Sequence, residues 1–243
     1  MAGTEHGFTW LSVVPGLNEL PDHTASALLV GAGLLGTAYI ARRQLAAAAD
    51  AVVPDGRLSA RDFYEVFVET FNGVAEGIIG PDAKRYVPLY GTFFLFILFS
   101  NLLGLIPGFS PPTGSVNTTL GLGLLSFVMF NYYGLQAHGI AYLKHFMGPV
   151  LWLVPLMLPI ELLSAAVRPV TLNLRLLINM FADHLVVDIF TDLLKVIVPV
   201  LFYLLGALVS VIQAAVFTML SMVYVALAVG GHDEEAHGEH QHH

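Results

Sequence analysis

Long stretches without a charged side chain constrain this sequence more than any other feature does. No Asp, Glu, Lys or Arg occurs within residues 24–41, 86–143, 146–160 or 196–231. A membrane-spanning helix needs about 20 predominantly apolar residues to cross a hydrocarbon core of roughly 30 Å. Only 12% of all residues are charged, whereas soluble domains average about 25%. The sequence therefore predicts an integral membrane protein.

The longest uncharged stretch has to fold back on itself, because it is too long for one crossing. Turn-forming residues lie near its middle, first Pro107 with Gly108 and then the segment Pro-Pro-Thr-Gly at 111–114. They leave 86–106 and 119–142 as two spans that form a hairpin.

The whole pattern predicts one all-α membrane domain over residues 1–243, with about five membrane helices and one amphipathic surface helix. The final uncharged stretch would be about 54 Å long as a helix, too long for an upright span. We therefore expect the last two helices to be long, strongly tilted and paired as a hairpin. The predicted segments are an outer N-terminal segment at 1–23, a first span at 24–41, a surface helix at 59–80, the hairpin spans at 86–106 and 119–142, tilted helices at 151–190 and 193–229, and a tail at 230–243.

Basic residues predict the orientation of the chain. None lies in 1–23 or in the 107–118 loop, whereas seven lie between the first two spans or just after the third. By the positive-inside rule, the N-terminus and the 107–118 loop are then outside, and the C-terminus is cytoplasmic. Lys195 is the one basic residue predicted outside. The seven cytoplasmic residues are Arg42, Arg43, Arg57, Arg61, Lys84, Arg85 and Lys144.

The segment 59–80 has the pattern of an amphipathic helix. Its carboxylates recur at helical spacing, and its aromatic and aliphatic side chains fall on another face. Ser59 followed by Asp62 resembles a capping box. We expect this helix to lie along the cytoplasmic membrane surface, and the alternative is a linker helix packed on neighbouring subunits. The acidic residues are Asp62, Glu65, Glu69 and Glu76.

Ionisable residues occur within 151–190 although the segment is mostly apolar. Each charge at membrane depth costs about 2.5 to 3.5 kcal/mol on insertion scales, so such residues mark ion or proton pathways by default. The residues are Glu161, Arg168, Arg175, Asp183, His184 and Asp188.

Six polar residues of this segment fall on one helix face, because they are three or four positions apart. Pro169 interrupts the stripe and is expected to kink the helix. His184 lies roughly opposite Arg175, and Asp188 shares the face of His184. The stripe consists of Glu161, Ser164, Arg168, Thr171, Arg175 and Asn179.

A second, weakly polar stripe runs along the last helix at helical spacing. We expect the two long helices to face each other through their polar stripes, with Arg175 as a strongly placed charge. The second stripe consists of Tyr203, Gly206, Ser210, Gln213, Ser221 and Tyr224.

Two segments carry a family resemblance. Residues 172–180, LNLRLLINM, and residues 213–217, QAAVF, resemble subunit a of F-type ATP synthases of the bacterial type. Arg-x-x-x-Asn on one helix with Gln on the next is highly specific in this topology. The similarity covers essentially 61–229 and includes Glu161, Pro169, Asn101 near the Leu-Ile-Pro of the second span, and 116–120, VNTTL.

The resemblance implies a role for three residues. Arg175 corresponds to the stator arginine, which faces the rotating ring of c subunits and separates two aqueous half-channels. Asn179 and Gln213 are implied to form hydrogen bonds near Arg175 or along the outer access path. The alternative for both is a bond that only holds helices together, a contribution of about 1 kcal/mol.

The resemblance also implies a proton relay in the outer half-channel. His184 suits that role because its reference pKa is about 6.5, and the alternative is a neutral, hydrogen-bonded histidine. Relatives often carry an acid or histidine partner seven residues before the glutamine, where this chain has Gly206. The partner is then Asp183 or Asp188, or water fills the space beside the glycine.

Glu161 and Ser164 are implied to lie in a second half-channel at the cytoplasmic end. Arg168 is expected to reach the interface and orient Glu161. Asn101 and Asn117 are supporting positions. The tail at 230–243 is rich in His and acidic residues, and we expect a solvated tail rather than a metal site.

The function implied is that of a non-catalytic, proton-conducting stator subunit in the bacterial inner membrane. Its implied partners are the c-subunit ring, b-type peripheral stalk subunits, the remainder of the ATP synthase, the lipid bilayer and protons. Neither a cofactor nor nucleic acid is expected, since the net charge is −8. A sodium-coupled version is an alternative. An autonomous secondary transporter is less favoured, because no second copy of the Arg175 segment is present.

Overall fold

The structure, a computed structural model, describes residues 10, 20–47, 59–139, 154–193 and 197–230. These residues form helices and turns and contain no strand, which confirms the all-α fold class. Short 3-10 turns at Pro81–Arg85 and Pro112–Gly114 precede the third and fourth helices. The helices are α1 Asp22–Ala47, α2 Ala60–Ile79, α3 Val87–Gly104, α4 Val116–His138, α5 Val154–Leu193 and α6 Ile197–Gly230.

Three stretches of the described residues are long and apolar enough to cross a membrane. They are Asp22–Ala46, Val87–Gly104 and Val200–Gly230, and Val170–Ala182 is a shorter apolar stretch within α5. These helices support an integral membrane protein. The count of about five spans stays a prediction, since α4 and the rest of α5 are less apolar.

The two longest helices are the last two. α5 has 40 residues and α6 has 34, which corresponds to lengths of about 60 and 51 Å. They are consecutive and pack against each other. Because the hydrocarbon core is only roughly 30 Å thick, these lengths support the predicted tilt.

Local chemistry fixes the ends of α2. The backbone N–H of Asp62 donates to Ser59 Oγ at 3.3 Å, and the backbone N–H of Ser59 donates to a carboxylate oxygen of Asp62 at 3.2 Å. This reciprocal pair is the predicted capping box. The helix ends before Gly80, whose φ of 100° is a conformation that favours glycine.

Aromatic side chains attach α2 to the rest of the molecule. The rings of Phe67 and Phe71 lie 5.7 and 6.0 Å from that of Phe94 on α3. α2 also packs against α1 and α6. Its apolar face therefore serves at least in part for packing within the chain, and its placement along the membrane surface stays a prediction.

The turn between α3 and α4 closes with a buried hydrogen bond. Thr113 Oγ1 donates to Asn101 Oδ1 at 2.6 Å, and both residues are almost fully buried. α4 begins directly after this turn and ends at Gly139, where φ is +57°. The predicted supporting residue Asn101 thus holds the loop against the end of α3.

The core lies between α2, α3, α4, α5 and α6. α3 supplies its centre with Tyr90, Phe93 and Ile97, each at most 3% exposed. The ring of Phe93 meets that of Phe217 on α6 edge-on at 6.3 Å. α3 therefore packs directly against α6, and α6 packs against α5.

Trp10, which belongs to the predicted N-terminal segment, contacts the 107–118 loop at one end of the helices. The backbone N–H of Trp10 donates to the carbonyl of Gly108 at 3.1 Å, and its indole Nε1 donates to the carbonyl of Pro107 at 3.2 Å. The N-terminal half of the chain's first helix also packs on the Pro112–Gly114 turn. Both predicted outer segments thus meet at the same end of the molecule.

Candidate functional site

α5 has a packed face and an open face around Arg175. Leu172, Leu176 and Met180 are at most 3% exposed and face the core. Arg175 is exposed, and so are Leu174 and Ile178 at 49% and 59%. Each residue of a helix turns the chain by 100°, so this division follows from the sequence spacing.

Arg175 lies at the border of the open face. No carboxylate among the residues that the structure describes lies within ion-pairing distance of its guanidinium group. Exposed residues near it are the apolar Leu174 and Ile178 and, one helical turn before it, the polar Thr171.

Asn179 and Gln213 connect α5 to α6. Asn179 Nδ2 donates to Gln213 Oε1 at 2.6 Å. Asn179 lies one helical turn after Arg175, rotated by about 40° toward the packed side. The structure therefore brings together two of the predicted site residues, one helical turn along α5 from the predicted stator charge.

The side-chain nitrogen of Gln213 is a hydrogen-bond donor without an acceptor among the described residues. Gln213 is only 4% exposed. A buried amide without an acceptor costs about 1 to 3 kcal/mol. Water or a polar group from outside the chain would remove that cost.

Most of the predicted polar stripe on α6 is buried. Gly206, Ser210, Gln213 and Ser221 each face the core. Ser210 Oγ donates to the carbonyl of Gly206 at 2.7 Å, which satisfies it within its own helix. Gln213 of this stripe bonds to a polar side chain of α5, Asn179.

The space beside Gly206 is occupied. A Cβ atom at this position would lie 2.8 Å from Cδ2 of Leu105. The methyl group of Leu105, the residue directly after α3, therefore approaches the position that a side chain at 206 would occupy.

Asn173 is a buried polar residue that lies off the predicted polar stripe of α5. It is 8% exposed, and its Oδ1 atom has no donor within the described residues. Its carboxamide packs directly on Gly123 of α4, where any Cβ atom would collide with it. The glycine at 123 is thus a packing position, whereas a Cβ at Gly121 would meet nothing within 4 Å.

Several predicted site residues can be placed by their helix alone. Their side chains lie outside the described part of the structure, so no contact is assigned to them. All of them belong to α5. They are Glu161, Ser164, Arg168, Asp183, His184 and Asp188.

The other predicted positions are either exposed or lie outside the described residues. Asn117 is exposed in the first turn of α4. Lys144, Lys195 and the tail after Gly230 lie outside the described residues. Within those residues, the structure has no group of three His, Asp or Glu side chains that could hold a metal ion.

The fold and this site define an all-α membrane protein in which Arg175 is exposed on a long helix beside apolar side chains. Comparison with known proteins also indicates a membrane protein. The family profile described as ATP synthase A chain matches residues 24–226. The chain therefore belongs to the ATP synthase A chain family, and the resemblance found in the sequence is confirmed.

Individual relatives are similar over most of their length. ATP synthase subunit a of Bdellovibrio bacteriovorus is 44% identical over 227 residues, which cover 93% of this chain and 99% of that protein. The subunit a of Sorangium cellulosum is 47% identical over 180 residues, 74% of this chain and 71% of that protein. That of Geobacter sulfurreducens is 42% identical over 216 residues, 89% of each chain. Family membership places this chain in the membrane part of ATP synthase, as a non-catalytic subunit.

Proposed function

We propose that this chain conducts protons between two half-channels and holds the fixed charge past which the c-subunit ring rotates. The observation that carries the proposal is the exposed position of Arg175 at the border of the open face of α5, with the Asn179–Gln213 hydrogen bond one helical turn further along the helix. A ring carboxylate is the acidic group that this cation lacks among the described residues.

Arginine suits this position because guanidinium stays protonated in proteins. It attracts an ionised carboxylate and favours release of that carboxylate's proton. It does not accept the proton itself, so it interrupts a direct path between the half-channels. Such a path would dissipate about 2.3 kcal/mol per proton for each 100 mV.

The apolar side chains beside Arg175 form a surface that suits contact with other apolar helices. Leu174, Ile178 and Phe181 are between 49% and 67% exposed, which is costly in water and ordinary against lipid or a neighbouring helix. We place the c-subunit ring on this face. The b-type peripheral stalk subunits and the rest of the ATP synthase complete the partners.

The half-channels extend from Arg175 toward both membrane surfaces in this proposal. His184, with Asp183 or Asp188 as partner, relays protons in the outer half-channel. Glu161 and Ser164 serve the cytoplasmic one, where Arg168 orients Glu161. The coupling ion is the proton, and the setting is the bacterial inner membrane.

The orientation has the N-terminus outside and the C-terminus in the cytoplasm. The contacts of Trp10 with Pro107 and Gly108 support this, since both segments lack basic residues and meet at one end. The chain has no cysteine, so single Asn117→Cys and Lys144→Cys variants are clean probes. We expect an impermeant thiol reagent to reach the first from outside and the second from the cytoplasm, and labelling from one common side would contradict the orientation.

The central test replaces Arg175 by alanine in the complete ATP synthase, reconstituted in vesicles. Removing one partner of a buried ion pair costs about 3 to 5 kcal/mol, so ATP-driven acidification should fall by at least about 100-fold. Arg175→Lys should also fail, because an ammonium group lacks the planar fork and loses its proton more readily on burial.

Arg43→Ala is the matched control for that test. It removes an exposed arginine outside the predicted spans and should leave acidification close to normal. Normal acidification by a fully assembled Arg175→Ala complex would overturn the proposed function.

A second test concerns the relay. His184→Ala should reduce proton flux by about 100-fold, the lower end of what a positioned proton donor contributes, and should flatten its dependence on pH near neutrality. Passive flux across the complex without its soluble part, measured from acid to alkaline pH, provides the comparison. A profile identical to that of the unmodified complex would assign His184 to packing alone.

A further inference from the structure

A cavity of about 740 Å³ opens between the end of α1, the side of α2 and the start of α3. It lies on the side of α2 away from α6 and far from Arg175 along the chain. Its size falls in the range of about 300 to 1,000 Å³ in which proteins bind small molecules. None of the roles proposed above uses it.

The walls of the cavity are mainly apolar, and its charged groups are few. Ala38, Ala41, Leu45, Val68 and Val87 contribute to the apolar part. The charged groups that line it are the cations Arg42, Arg61 and Lys84 and the carboxylates Glu65 and Glu69.

One cation and one carboxylate neutralise each other. Arg61 Nε donates to Glu65 Oε1 at 2.7 Å, and the side chain of Arg61 is 7% exposed. Arg42 and Lys84 are exposed, and neither has a carboxylate within ion-pairing distance among the residues that the structure describes. Among the described residues that line the cavity, Arg42 and Lys84 are therefore cations without an ion-pair partner, and Glu69 is a carboxylate without one.

The two cations come from different helices and belong to the part of the chain predicted to be cytoplasmic. Arg42 lies in the last two turns of α1, and Lys84 lies in the Pro81–Arg85 turn just before α3. Basic pockets between membrane helices on the cytoplasmic side match the head groups of anionic lipids. The apolar walls next to them match an acyl chain.

A protein helix fits this cavity less well. A helical partner would need a carboxylate for Arg42 and another for Lys84 to avoid burying unpaired charge. A phospholipid supplies its negative charge and its apolar chain in one molecule.

We propose that this cavity binds one anionic phospholipid, whose phosphate lies between Arg42 and Lys84 and whose acyl chain lies along α1 and α2. The lipid would join α1 to the α2–α3 connection on the cytoplasmic side. The proposal rests on the cytoplasmic placement of residues 42–85 and is independent of the role of Arg175.

The test uses the complete ATP synthase in vesicles of phosphatidylethanolamine that contain a trace of spin-labelled phosphatidylglycerol or spin-labelled phosphatidylcholine. We expect the complex to retain the anionic probe preferentially. Each cation near a membrane surface contributes about a fivefold preference, so Arg42→Gln with Lys84→Gln should lower the preference by about 25-fold.

Arg43→Gln with Arg85→Gln is the matched control. It removes the same charge from the adjacent positions, which are equally exposed but do not line the cavity. This variant should keep the preference for phosphatidylglycerol. An equal loss in both double variants would reduce the effect to general surface charge and overturn the proposal.

Two further outcomes would also overturn it. One is an unchanged preference in the Arg42→Gln, Lys84→Gln variant. The other is cross-linking of a photoreactive residue at position 42 to a protein subunit rather than to lipid, which would assign the cavity to a protein partner. Proton pumping is measured in the same vesicles, so a failure of the Arg175 proposal is seen separately from the result for lipid.

Discussion

Among the described residues, the hydrogen bonds Ser126–Ser221 and Asn179–Gln213 both join side chains of α6 to a neighbouring helix, and they differ in which groups they leave without a partner. Ser126 on α4 donates to Ser221 at 3.0 Å, and both residues are at most 2% exposed. Asn179 on α5 donates to Gln213 at 2.6 Å, yet Nε2 of Gln213 remains buried without an acceptor in the described parts of the chain. Both side-chain oxygens of the first pair take part in its bond, whereas one nitrogen of the second pair has no partner among the described residues.

The difference indicates two kinds of polar contact within one helix. A hydroxyl pair in a tight, apolar surrounding gives a helix–helix bond and little else. A carboxamide has two donors and an acceptor, so one bond leaves capacity for water or a moving proton carrier. The incomplete pair is also the one that lies one turn from an exposed cation. Incomplete satisfaction at that place is what we expect of a conducting path.

The largest effect in this comparison should come from Gln213→Leu. Leucine keeps the volume but removes the buried amide and leaves Asn179 without its acceptor. Losing a partner of a buried polar group costs about 1 to 3 kcal/mol, so we expect proton flux to fall by about tenfold while the complex still assembles. ATP-driven acidification in vesicles measures the flux.

Asn179→Leu and the double variant complete a mutant cycle. If the pair acts as one unit, the double variant should lose little more flux than either single variant. Independent, fully additive losses would show that the two carboxamides act at separate places. Flux unaffected by Gln213→Leu would reduce the pair to the same structural role as the serines.

The smallest effect should come from Ser126→Ala or Ser221→Ala. Interhelical hydrogen bonds in membranes contribute about 0.6 kcal/mol on average and about 1.7 kcal/mol at most. We expect a lowered thermal midpoint for the subunit in detergent, together with normal proton flux. A loss of flux comparable to that of Gln213→Leu would remove the distinction between the two pairs.

Sequence periodicity predicted the part of the site that lies on one helix face. Arg175 and Asn179 are four residues apart, so any α-helix places them one turn apart. The capping box at Ser59 and Asp62 was equally accessible, because it depends on a spacing of three residues. The resemblance selected Asn179 and Gln213 as hydrogen-bonding residues near Arg175 or along the outer access path, but it did not predict that they bond to each other.

Contacts between distant segments were beyond the reach of the sequence. Asn173 lies about 160° from Arg175 around α5, off the polar stripe, and its packing on Gly123 depends on how closely α4 approaches. The position of Leu105 beside Gly206 has the same origin. The amphipathic pattern of α2 predicted an apolar face and could not say that Phe67 and Phe71 pack on α3.

The contact of Trp10 with the 107–118 loop gives the molecule an optical reporter of its own. The indole is about half-exposed, is hydrogen-bonded through Nε1 to the carbonyl of Pro107, and lies where a Cβ at Gly108 would be only 2.6 Å from the ring. Only one other tryptophan, Trp152, is present in the chain. In a Trp152→Phe variant, the fluorescence emission wavelength and the quenching of Trp10 would report whether the 107–118 loop stays in contact with the indole. The measurement needs no attached dye and can be made while the complex turns over.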